Sequence, residues 1–95
     1  MLATKNHYKY QVELKSETND ALTLDVTSHD DIFEKLDMIR GKLHISHNDE
    51  QAFLIGLKMA GEIILQHRDD PFFQSLKQPM KEIMTILKSN VKNQK

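Results

Sequence analysis

Ninety-five residues with a formal net charge of −1 make one domain with a modest core and leave no room for a second. The absence of cysteine excludes disulfides, thiolate nucleophiles and thiolate metal sites, and it suits a reducing compartment. The near-neutral charge argues against a nucleic-acid binder. No apolar run reaches the ~20 residues of a membrane span or makes the core of a secretory leader, so a cytoplasmic location is expected.

The chain opens on "HYKYQVELK", in which Tyr8, Tyr10, Val12 and Leu14 alternate with Lys9, Gln11, Glu13 and Lys15. Period-two alternation predicts a half-buried strand over about 7–15. "ALTLDVT" repeats the pattern over about 21–27, with Leu22, Leu24 and Val26 on the apolar side. The polar run "SETND" between them is of hairpin-turn length. Two strands alone are marginal in water, so the apolar face of this antiparallel hairpin is expected to be covered by helices.

Ser28 followed by Asp31 matches a capping box and predicts a first helix over about 29–41. Ile32, Leu36, Ile39 and Leu43 form its stripe, Phe33 widens it, and Gly41 ends it. After the loop "LHISHND", Ser46 with Asp49, or Asn48 alone, caps a second helix over about 49–67. Its polar residues Gln51, Lys58, Glu62 and Gln66 share one narrow face, and nearly all the others are apolar. Such a helix is expected to be central and buried over most of its circumference. On this reading Lys58 and Glu62, spaced i, i+4, form a solvent-facing ion pair. Gly56 and Gly61 each cost about 1 kcal/mol of helix propensity, which the close approach of another element would offset.

"HRDDP" reads as a helix-to-helix corner. His67 and Arg68 suit a helix C-terminus, Asp70 caps the next helix, and Pro71 occupies its first turn. Phe73, Leu76, Met80, Ile83, Leu87 and Val91 then continue at helical spacing over about 71–91. The period stays in phase across Pro79, which predicts one helix bent there rather than two. The expected fold is therefore α+β: a single domain over 1–95, with an N-terminal antiparallel hairpin packed against three helices in the order β-β-α-α-α.

Motifs that look chemical fail on their own requirements. Gly56 and Gly61 could suggest a phosphate loop, but the positions after Gly61 are Glu62 and Ile63 instead of lysine and a hydroxyl. His67-Arg68-Asp69 resembles a kinase catalytic loop without its magnesium-binding asparagine or any partner motif. His44 and His47 lie near Asp49 and Glu50, yet a loop His-x-x-His lacks fixed ligand geometry, and no metal or other cofactor is expected. No G-x-S-x-G nucleophile motif occurs, so no catalytic residue is assigned and an enzyme is not the expected class. Eight acids between Glu13 and Asp37, and five lysines from Lys77 onward, are read as charges placed to suit helix dipoles.

The hairpin, "SHDDIFEKL", "GLKMAGEIILQHRDDPFFQSL" and the closing "ILK" together resemble a family of small uncharacterised bacterial proteins, a domain of unknown function. The resemblance covers nearly the whole chain and implies a compact α+β domain with no assigned catalytic residue. Two functions are compatible with the residues. One is a small interaction or regulatory module that self-associates or binds another protein. The other is a ligand-binding protein or enzyme with a polar surface formed by His29, Asp30, Asp31, Arg68 and Asp69. Those five meet only if the start of the first helix lies beside the end of the second.

Overall fold

The computed structural model describes residues 7–93. β1 (Tyr8–Lys15) and β2 (Ala21–Ser28) pair as a two-stranded antiparallel sheet, followed by α1 (Ile32–Ile39), α2 (His47–Gln66) and α3 (Pro71–Lys92). This is the α+β hairpin-and-three-helix architecture the sequence patterns predict. The register sets Tyr10 opposite Val26, Val12 opposite Leu24 and Leu14 opposite Leu22, which gathers the apolar side chains on one face. The turn closes through the N–H of Ser16, which donates to the Asp20 carbonyl at 2.9 Å. The Ser16 hydroxyl accepts from the N–H groups of Thr18 and Asp20, and Asn19 takes the left-handed conformation at φ 73°.

Only the base of this hairpin is covered. Val12 and Val26 are half-buried, and the Tyr10 hydroxyl accepts the N–H of Ile32 at 2.9 Å, which ties the sheet to the start of α1. Further out, Leu14 is 66% exposed and Leu22 51% exposed. The expectation that helices cover the whole face is thus corrected. Strands of eight residues reach about 27 Å, and their outer half extends past the helices.

α1 begins later than the capping-box pattern suggested. Asp31 is the N-cap, its carboxylate accepting from the N–H groups of Phe33 and Glu34 at 3.1 and 3.3 Å. The preceding backbone is committed elsewhere: the N–H of His29 donates to Glu62 and that of Asp30 to the Ser28 hydroxyl. Ser46 caps α2 by accepting from the N–H of Asp49, and Asp70 caps α3 by accepting from that of Phe72. α3 runs unbroken through Pro79, even though proline cannot donate to the carbonyl of Ser75.

The core is small. Ile39, Leu54 and Leu87 form its buried centre, packed against Leu36, Leu43, Leu57, Met84 and Val91 of the surrounding elements. Glu50 closes the α1–α2 loop over it by accepting the N–H groups of Gly41 and Leu43 at 3.0 and 3.2 Å. Its side chain is covered by the loop it holds. The N–H of Gly41 heads the causes that keep the Glu50 carboxyl below its ordinary value, against the opposing effect of burial. Gly41 itself sits at φ 77°, a left-handed conformation that ends α1 at little cost for glycine.

α2 is not wrapped by its neighbours as its composition suggested. Phe53, Ile63 and Leu65 are each more than 40% exposed. A side chain built at Gly56 or Gly61 would meet nothing within 4 Å, so no element approaches either glycine closely. Composition reports which residues could be covered, and it does not supply the cover. The face running through Gly56, Ala60 and Ile63 stands open beside the apolar side of the hairpin.

Candidate functional site

The corner between β2 and α1 folds against the narrow polar face of α2. Glu62, one helical turn beyond Lys58, is 8% exposed and receives two hydrogen bonds from His29. The ring Nδ1 lies 2.8 Å from Glu62 Oε1, and the His29 backbone N–H donates to the same oxygen. Gln66 Nε2 donates to the other carboxylate oxygen at 3.3 Å. Lys58, whose side chain is only 15% exposed, donates to Asp30 Oδ2 at 2.6 Å.

The expectation that Lys58 and Glu62 pair with each other in solvent is therefore wrong. The two side chains project from α2 toward the β2–α1 corner, where partners 28 and 33 residues away in sequence take them. No local pattern announces those partners. The available signal was that polar groups on an otherwise apolar helix must be satisfied wherever they are buried.

Of the five residues proposed from sequence, three come together. His29, Asp30 and Arg68 line one cleft of about 410 Å³ between the corner, α2 and α3. Asp31 is spent as the cap of α1, and Asp69 lies exposed outside the cleft lining. Arg68 bends back to donate to the Leu65 carbonyl at 3.0 Å. Sequence reasoning missed Lys35, Lys77, Lys81 and Lys88, which also line the cleft. The signal for the three on α3 was the spacing of Lys77, Lys81 and Lys88, with Met84, along one face of that helix.

The charges of this site depend on one another. Burial opposes ionisation of Asp30, but the hydrogen bond and charge of Lys58, with His29 and Lys35, hold its carboxyl below the ordinary 3.8. Burial likewise opposes ionisation of Glu62, and the hydrogen bonds from His29 and Gln66 outweigh it and keep the group below 4.5. A folded-state pKa below the unfolded one means that the unfolded chain binds more protons in between. With Glu50 shifted the same way, stability should be complete above the ordinary carboxylate range and fall as pH drops through the folded-state values. Thermal melting from about pH 6 to about pH 3 should show this decline, and Glu62→Gln should flatten part of it. A melting temperature that held or rose over that range would contradict the pairing.

Among the described residues, no group of three or more histidine, cysteine or carboxylate side chains is placed to hold a metal ion. The His29–Glu62 pair has the form of a general base held by a carboxylate, but no nucleophilic side chain lines the cleft with it except Ser28, which is 2% exposed and caps the corner. As built, the two pairs brace the corner, and they leave a cationic wall facing solvent.

The chain matches, over residues 6–89, the model of DUF3861, described as a domain of unknown function with solved structure. The chain belongs to this family. A similar architecture is seen in a crystal structure. A protein of unknown function from Pectobacterium atrosepticum is 36% identical, with a TM-score of 0.74 over 88% of this chain and 97% of that one. No curated protein matches. The resemblance read from the hairpin and the Gly-Leu-Lys…Pro-Phe run thus led to the right kind of family, and DUF3861 carries no assigned activity or site. Among the described residues, no helix is long and apolar enough to cross a membrane.

Proposed function

We propose that this DUF3861 domain is a small cytoplasmic interaction module that self-associates through the open apolar face of its hairpin and α2. The observation that carries the reading is a groove of about 530 Å³ whose walls include Leu24 and Val26 on one side and Gly56, Ala60, Ile63 and Phe73 on the other. Leu14 and Leu22 extend the same apolar surface beyond the groove. Gly56 and Ala60 keep its floor low, so a partner's side chains can approach the α2 backbone.

Surface area favours a second copy as the occupant. The chain exposes 7525 Å², whereas a folded monomer of 11.1 kDa exposes about 5,700 Å². Allowing the eight residues outside 7–93 the full surface of an extended chain still leaves an excess of about 900 Å². One subunit of a standard dimer surrenders about 800 Å². The net charge of −1 gives two copies little mutual repulsion to overcome. A two-fold pair would lay the exposed hairpin end of each copy against α2 of the other, covering both with one operation.

Light scattering at micromolar concentration should return a mass near twice 11.1 kDa. A monomer mass at every concentration and salt tested would remove the proposal.

A further inference from the structure

Across α2 from that groove, with Ile64 lining both, we propose that the cleft beside the β2–α1 corner is a binding site for a small amphipathic organic anion, one carrying a phosphate or carboxylate head on an apolar body. Six cationic side chains line it: Lys35, Lys58, Arg68, Lys77, Lys81 and Lys88. The two carboxylates there are already engaged, Asp30 by Lys58 and Glu62 by His29. Among the described residues, none of the other five cations has a carboxylate within 4.0 Å. The wall therefore carries unneutralised positive charge.

Helix dipoles do not account for this wall. α3 starts at Pro71 and ends at Lys92, so Lys77 and Lys81 lie well before its last turn, beyond the reach of its negative end. Lysines spaced i, i+4 repel each other on a helix face, so the arrangement is mildly unfavourable without an anion. The floor differs in kind from the rim. Leu57, Ile64, Met80 and Met84 line it, and Gly61 adds no side chain to fill it. A volume of about 410 Å³ falls in the range of small-molecule sites, and flexible methionines adapt to varied apolar bodies. A concave apolar floor fits an amphipathic small molecule better than a nucleic-acid backbone, which would leave it uncovered.

The test titrates the full chain with decyl phosphate, decanoate and decanol below their aggregation concentrations, following backbone amide shifts by NMR. Saturable shifts centred on Gly61 and the α3 lysines are expected with either anion, the tighter of the two identifying the head group, and decanol should bind at least about tenfold more weakly. The combined variant Lys77→Gln, Lys81→Gln, Lys88→Gln changes only exposed side chains and should lose about tenfold or more in anion affinity, with its circular dichroism unchanged. Three results would each overturn the proposal. One is equal binding of decanol and the anions. Another is shifts centred on Gly56 and Ile63 and indifferent to the lysine changes. The third is a short single-stranded oligonucleotide that displaces decyl phosphate and binds more tightly than it.

Discussion

Leu54→Ala should destabilise the domain by about 2–5 kcal/mol, as expected for a fully buried leucine whose cavity the surroundings cannot close. Leu54 is 2% exposed, more buried than any other apolar side chain described, and it touches the cluster that joins all three helices. Only five apolar side chains among the described residues are buried, Ile32, Ile39, Leu54, Ile64 and Leu87, and Leu54 is the most deeply placed. A domain of this size has about 5–14 kcal/mol of total stability, so the loss is a large share of it. A melting temperature lower by about 10–25 °C is the corresponding signal. Leu65→Ala serves as the control, because Leu65 is 42% exposed and should shift melting far less. Equal losses from the two substitutions would mean that Leu54 is not the centre of the fold.

On the proposed pairing, Ile63→Asp should separate the two copies while leaving each one folded. Ile63 is 41% exposed on a helix face, so a carboxylate there is solvated in the single chain. In the pair, the same carboxylate would be buried against an apolar hairpin without a partner, and a two-fold arrangement imposes that cost twice. A loss of about 3 kcal/mol or more corresponds to at least ~100-fold weaker association. Sedimentation should then show the monomer at concentrations where the unchanged chain is paired, with the same helical circular dichroism. Unchanged association would place the interface elsewhere on the molecule.

The hairpin and the caps of α2 and α3 were legible because their causes are local. Alternating side chains in β1 and β2 fix faces, and Ser46 and Asp70 satisfy N–H groups two or three residues away. The start of α1 was misread because the Ser28–Asp31 spacing imitates a box, whereas Glu62 claims the backbone of His29 from 33 residues away. The burial of α2 was misread for a related reason. Phe53 and Ile63 have the composition of core residues, and only the arrangement of the other elements shows that this chain does not cover them.

The candidate site was half legible. His29 and Asp30 stood out as polar residues at a structural corner, but their partners Glu62 and Lys58 were assigned to each other by i, i+4 proximity. As a group, the lysines of α3 suit a helix dipole on sequence alone. Their meaning emerges when α1, α2 and α3 bring them around one apolar floor. Glu50 had no local signal, since an acid in a first helical turn is ordinary and its two loop N–H partners lie upstream in sequence.

The most direct measurement is an isotope-filtered NOE experiment on a mixture of labelled and unlabelled chains, which detects contacts between copies alone. Cross-peaks should run from the methyl groups of Leu14, Leu22 and Leu24 in one copy to Ala60 and Ile63 in the other. Their absence from a chain that tumbles as an 11.1 kDa monomer would contradict the proposed pairing.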